Sequence, residues 1–157
     1  MPTIHITTFI AAPRERVFDL SRNISLHKIS TQQTKEVAIA GVTSGPINLN
    51  ETVTWQARHL GKNRTMQVKI TQMEFPFSFT DEQVKGDFIS FRHEHHFKPV
   101  DNGTIMIDIL DFVSPYGLIG RLFNSIYLKK YLESLLVKRN LVIRKYAETE
   151  MWKALMG

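Results

Sequence analysis

His93 and His95 stand two residues apart in the run Phe91-Arg92-His93-Glu94-His95-His96-Phe97. A strand turns successive side chains to opposite faces. Phe91, His93, His95 and Phe97 therefore share one face, and Arg92, Glu94, His96 and Lys98 share the other. The second face is wholly polar or charged, so the first is the inward one. In the following segment Thr104, Met106, Asp108, Leu110 and Phe112 share a face. A turn at residues 99–102 brings His93 opposite or near Asp108. Two imidazoles and a carboxylate then converge on one wall.

That convergence is open to three chemistries. It is a hydrogen-bonded inner wall, with the imidazoles satisfied by Asp108, Gln83 or a backbone carbonyl. It is a polar recognition point inside an apolar pocket, the usual build of a small-molecule site. Or it is a general acid–base pair, a histidine oriented by a carboxylate. A His-x-His pair also suits zinc or iron, but a third ligand and an open position are needed, and no metal is expected. The chosen face turns Ile105, Ile107 and Ile109 outward, which a partner subunit in a homodimer would cover. A slip of one residue would instead set Asp111 beside the histidines.

Other residues have plainer readings beside functional ones. Phe75, Phe77 and Phe79 fall on one face of a short strand and either line a cavity or fill the core; Pro76 marks an edge or a bulge there. Asp81-Glu82-Gln83 precedes Gly86 and reads as turn-shaping. Arg139 and Arg144 read as surface salt-bridging residues.

The elements around these residues follow from pattern. Thr3 to Ala11 alternates as a strand. Pro13 opens a short helix carrying Val17, Phe18 and Leu20, and Asn23 or Ser25 caps a second with Ile24, Leu26 and Ile29. Strands are expected over 34–40, 51–59, 64–73, 75–79, 87–98 and 104–113. After Pro115 and Gly117 comes the one long helix, rich in Leu, Lys, Arg and Glu. Its apolar stripe changes phase near Tyr127-Leu128: Leu118, Ile119, Leu122, Phe123, Ile126 and Tyr127 lie on one side, and Tyr131, Leu132, Leu135, Leu136, Val142, Ile143 and Tyr146 on the other. Charged residues interrupt every window long enough to span a bilayer.

With 157 residues the chain reads as a single domain over 1–150, with 151–157 as a tail or helix extension. It has no cysteine, which excludes disulfides, thiolate zinc sites and a cysteine nucleophile. The start of the chain lacks a secretory pattern, so a cytoplasmic location is expected. Residues 1–116 balance 12 basic against 12 acidic side chains, whereas 117–157 hold 8 against 3 and supply the net charge of +5. A basic helix admits nucleic acid or an anionic surface, but no recognition pattern accompanies the charge, and a solvated face with no nucleic-acid partner is expected. No phosphate loop or dinucleotide fingerprint is present, and no cofactor is expected.

The order of one strand, two short helices, six strands and a long helix resembles the helix-grip fold of the START-like, or SRPBCC, superfamily, which includes the birch pollen allergen and polyketide cyclase/dehydrase-like proteins. The resemblance is carried by Ile10-Ala11-Ala12-Pro13 leading into Val17-Phe18, by Phe79-Thr80-Asp81-Glu82-Gln83 with Gly86 and Phe88, by Arg92 to Phe97, by Gly103-Thr104 with Asp108, and by Pro115. It implies an α+β domain, a curled antiparallel sheet of about seven strands around the long helix, and a cavity between them. The function it implies is binding of a small, mainly hydrophobic ligand. Phe75, Phe77, Phe79, Phe91, Leu110 and Phe112 would line the cavity, and His93, His95 and Asp108 would orient a polar end. Alternatives are a cyclase/dehydrase-type enzyme using the same three polar residues as acid and base, and a lipid- or anionic-surface-associated protein.

Overall fold

The computed structural model describes residues 2–59, 61–114 and 127–156. Seven strands run β1 (Thr3–Ile10), β2 (Val37–Gly41), β3 (Thr52–His59), β4 (Lys62–Glu74), β5 (Ser78–Lys85), β6 (Ser90–Val100) and β7 (Gly103–Val113). They form one antiparallel sheet in the order β1-β7-β6-β5-β4-β3-β2. Helices α1 (Arg14–Ser21) and α2 (Ile24–Ser30) join the two edge strands, and Asn23 caps α2 by accepting from the Leu26 amide at 3.1 Å. Helix α3 (Lys129–Glu148) packs against β1, α1 and α2. This is the α+β helix-grip architecture that the order of elements predicts.

Helix α3 buries a face stepped by three and four residues: Arg139, Asn140, Ile143 and Ala147. Leu132 and Leu136 continue it towards the start of the helix, against a small cluster of Ile4, Leu110, Phe112 and Leu128. Ile143 joins the main core with Phe18, Val53, Trp55, Ile70 and Phe79. Full burial of one such aliphatic side chain contributes roughly 1.5–3 kcal/mol. Tyr127 and Leu128 form a π-type turn entering α3. It falls where the apolar stripe changes phase in the sequence, and a wider turn is one way to rotate a stripe. Of the first apolar stripe, Leu118 to Ile126 lie outside the described residues, and Tyr127 is exposed. Beyond α3, Thr149 accepts from the Met151 amide, Glu150–Trp152 form a 3₁₀ turn, and Lys153–Met156 form α4. Trp152, Leu155 and Met156 pack on the main core, and the Arg16 guanidinium sits 4.2 Å over the Trp152 ring.

Three local expectations are corrected. Strand β6 runs on to Val100, so the turn is Asp101-Asn102 rather than 99–102. Asn102 has φ of 66°, a left-handed conformation that asparagine tolerates. The shift is two residues, so every side chain keeps its face. His95, not His93, is the residue opposite Asp108, and Asp111 pairs with Arg92. Next, residues 75–77 are not a strand. They form the turn between β4 and β5, with the Phe77 amide donating to the Glu74 carbonyl at 2.7 Å. Pro76 therefore marks a turn and not an edge strand. Last, Asp81-Glu82-Gln83 lie inside β5, and the turn they precede is held by Gln83, whose amide donates to the Phe88 carbonyl at 2.7 Å. Ile105, Ile107 and Ile109 do face outward, and each is half-buried.

Candidate functional site

The inner faces of β5, β6 and β7 bring four titratable side chains together. Register sets Asp81 beside His93 and Phe79 beside His95 across β5 and β6. It sets His95 beside Asp108 and His93 beside Leu110 across β6 and β7. The hydrogen bonds then run diagonally. His93 Nε2 meets Asp108 Oδ1 at 2.8 Å, and His95 Nε2 meets Asp81 Oδ2 at 2.7 Å. The two rings lie 3.8 Å apart, and Phe79 stacks on His95 at 4.1 Å.

Helix α3 closes this arrangement from above. Asn140 Nδ2 donates to Asp108 Oδ2 at 2.8 Å and to Thr8 Oγ1 at 3.3 Å. Arg139 donates to Asp108 Oδ1 at 3.4 Å, to Asn140 Oδ1 at 3.0 Å and to the Ser21 carbonyl at 3.3 Å. Its Nη2 also lies 3.5 Å from His95 Nδ1. Arg139 is thus not a surface residue: it is 5% exposed, and Asp108 is 0% exposed. Arg144, one turn on, does pair at the surface, with Glu148 at 3.3 Å.

The electrostatics follow from these contacts. Burial alone would raise Asp108, but hydrogen bonds from His93 and His95 and the Arg139 charge hold it well below the usual carboxylate range. Asp81 is lowered in the same way: burial opposes most strongly, but the His95 hydrogen bond and the nearby charges of His95, His93 and Arg139 together outweigh it. His93 is lowered, chiefly because burial disfavours the imidazolium and secondly because of His95, with Asp108 pulling the other way. An ionised carboxylate only accepts, so His93 Nε2 is the donor to Asp108, and the neutral ring keeps Nδ1 as an acceptor.

A cavity of about 260 Å³ lies between the sheet and α3. Val53, Trp55, Ile70, Leu110, Leu132, Leu135 and Leu136 supply apolar wall, and Phe79, Phe88 and Phe91 supply aromatic wall. Asp81, His93, His95 and Arg139 also line it. Of the residues expected to line a cavity, Phe79, Phe91, Leu110, His93 and His95 do. Phe75 and Phe77 do not. Phe75 sits in the β4–β5 turn, is 50% exposed, and meets Phe18 edge-on at 5.0 Å, while Arg14 covers Phe77 at 4.5 Å. Phe112 is buried in the small cluster with Leu128. Asp108 lies behind the wall because Arg139 and Asn140 cover it, so it orients the imidazoles and does not touch the cavity.

Asn140 carries no functional reading in the sequence, and Arg139 and Asp81 read there as a surface residue and a turn residue, yet all three belong to the site. The signal for the first two was present: helical spacing puts positions 139 and 140 on the same face as Leu132, Leu136 and Ile143. Polar residues on an apolar helix face need a buried partner. For metal chemistry, Asp81, His93 and His95 each offer a ligand atom, all within 4.8 Å of one another. A divalent ion there would compete with the His95–Asp81 hydrogen bond and face the Arg139 guanidinium.

No protein-family model and no curated protein matches the chain. Solved structures do. A protein of Thermus thermophilus superposes with a TM-score of 0.72 at 20% identity, over 90% of this chain and 97% of that one. The chain has the helix-grip fold. Major latex-like protein 151 of Panax ginseng superposes with a TM-score of 0.68 at 15% identity, over 94% and 98% of the two chains. The Aha1 dimer of Colwellia psychrerythraea gives 0.65 at 12% identity, over 94% and 97%. At these identities the likeness is one of fold. Among the described residues no helix is long and apolar enough to cross a membrane.

Proposed function

We propose that the protein binds one small, mainly hydrophobic molecule in the cavity beneath α3. The observation that carries this reading is the cavity itself: about 260 Å³ of space with a mostly apolar wall and a small number of hydrogen-bonded polar groups. Ligand pockets have that composition, a broad apolar surface with a few placed polar groups, and begin at about 300 Å³. The volume suits a compact ligand of two or three rings. Apolar contact would supply most of the affinity, at roughly 25 cal/mol per Å² before the costs of association.

A second reading, acid–base catalysis of cyclase/dehydrase type, is favoured by one feature, the buried Asp108–His93 pair. Both nitrogens of His95 are engaged within the cluster, so the base would be His93, oriented by Asp108 through Nε2. His93→Gln separates the readings. It would lower turnover of a true substrate by about 10²–10⁴ with binding kept, whereas a binding protein would lose no more than about tenfold in affinity.

The binding reading is tested with N-phenyl-1-naphthylamine, an uncharged probe that fluoresces in apolar surroundings. One site per chain is expected. Leu135→Trp, at a half-buried cavity position, should fill the space and abolish that site without unfolding the protein. Probe binding unaltered in Leu135→Trp would place the probe elsewhere and refute the reading.

A further inference from the structure

If the cavity is a ligand site, its chemistry also selects the ligand's polar end. We propose that the cavity takes an apolar molecule headed by a hydrogen-bond donor, a hydroxyl or an amine, and discriminates against a carboxylate head such as that of a fatty acid. This rests on the binding reading above.

The inference comes from the pairing of every charged group on the wall. Three guanidinium groups line the cavity, and each already holds a carboxylate. Arg22 pairs with Asp19 at 2.8 Å, Arg64 with Asp87 at 2.6 Å, and Arg139 with Asp108 at 3.4 Å. An incoming carboxylate binds well to a guanidinium that can offer a two-pronged fork. Arg139, the deepest of the three, has its fork spent on Asp108, Asn140 and the Ser21 carbonyl. Of the imidazoles on the wall, His27 meets Glu36 at 2.9 Å, and His93 and His95 are held by Asp108 and Asp81 at 2.8 and 2.7 Å. No cation on the described wall is left to receive an anion.

Acceptors, by contrast, remain. Asp81 takes its hydrogen bond from an imidazole, keeps 18% of its side chain exposed and lines the cavity. A carboxylate has about four acceptor sites, and His95 fills one. His93, donating Nε2–H to Asp108, leaves Nδ1 as a second acceptor. Within the cluster two carboxylates, Asp81 and Asp108, face one guanidinium, Arg139. A carboxylate head placed there would be desolvated beside a like charge, which is costly in an interior. A hydroxyl or amine would instead complete the open acceptors, and a donor to an ionised carboxylate makes the stronger kind of hydrogen bond.

The test compares ligands of one body and different heads: naphthalene, 2-naphthol, 2-naphthylamine and 2-naphthoate, titrated at neutral pH into the intact chain. Naphthol and naphthylamine should bind about tenfold tighter than naphthalene, and naphthoate at least about tenfold weaker than naphthol. Asp81→Asn, which keeps an acceptor for His95, should bring naphthoate to within a few-fold of naphthol. Glu94→Gln, which removes one negative charge from the outer face, should leave the ranking as in the parent. Naphthoate binding as tightly as naphthol in the parent protein would overturn the selectivity while leaving the cavity reading in place. An unchanged ranking in Asp81→Asn would overturn the role given to Asp81. Failure of all four ligands, naphthalene included, would overturn the cavity reading and this inference with it. The parent ranking stands as a test even if Asp81→Asn does not fold.

Discussion

Strand β6 carries similar residues on its two faces and uses them differently. On the outer face Glu94 accepts from Arg92 at 2.5 Å and pairs with His96 at 3.1 Å. On the inner face His93 and His95 meet Asp108 and Asp81 at 2.8 and 2.7 Å. The distances are alike, but the surroundings are not. Water competes for every outer group, so such a pair contributes about 0–1 kcal/mol. Asp108 is fully buried under α3, where His93, Arg139 and Asn140 donate to it. Removing one partner there costs about 3–5 kcal/mol, because a charge is left without compensation. The energetic rank of an ion pair is set by what lies over it, and its length says little.

The sharpest way to break this comparison is Arg139→Met against Glu94→Gln. The first strips Asp108 of its only cation among the described contacts and should cost about 3–5 kcal/mol in urea unfolding; the second should cost under about 1 kcal/mol. Equal losses would show that burial does not separate the two faces. Phenylalanines at the two ends of the same segment extend the contrast. Phe79→Ala, inside the core, should cost about 3–5 kcal/mol. Phe75→Ala, in the exposed turn, should cost about 1 kcal/mol, the worth of its edge-on contact with Phe18.

Stability against pH gives a finer contrast. The folded pKa of His93 lies below the ordinary 6.5. Between the two values the unfolded chain binds a proton that the folded chain does not, so stability falls as pH drops through 6.5 and levels off below the folded value. His93→Gln should flatten that decline, and His96→Gln, on the outer face, should not. Asp81 and Asp108 are lowered from 3.8. Their contribution is present above 3.8 and is lost as pH falls from there through the folded values, giving a second, more acidic decline. A single decline near 3.8, identical in parent and His93→Gln, would mean that His93 titrates normally. The smallest expected effect concerns the outer face of α3. Lys138, Arg144 and Lys145 are exposed, and no duplex DNA binding is expected at physiological salt. Binding that weakens steeply with added salt would show that this face does more than meet solvent.

Much of the candidate site was legible before folding. Alternation alone set His93 and His95 on the inner face, and it set Asp108 on the facing strand's inner side. A two-residue error in the turn left both faces intact, since the strand period is two. The FPFSF segment misled because alternation cannot distinguish three phenylalanines on a strand from two in a turn and one on a strand. Asp81 is hard to place for a related reason: a polar Asp-Glu-Gln run near a glycine looks like a turn when its two buried neighbours, His93 and His95, are distant in sequence. Arg139 reads as a surface residue because arginines are usually exposed, although its spacing from Leu132, Leu136 and Ile143 puts it on the buried face.

Period and residue type, then, determined the strands, the long helix and the inward side of each, because those depend on neighbours a few positions away. Whether a polar residue on an inward side meets water, a ligand or a partner depends on what the chain brings over it from far away. Position 139 lies 31 residues from Asp108, 44 from His95 and 118 from Ser21. Only folding α3 across the sheet makes those residues neighbours. That step converts a row of two imidazoles and a carboxylate into a closed charge network at the edge of a cavity.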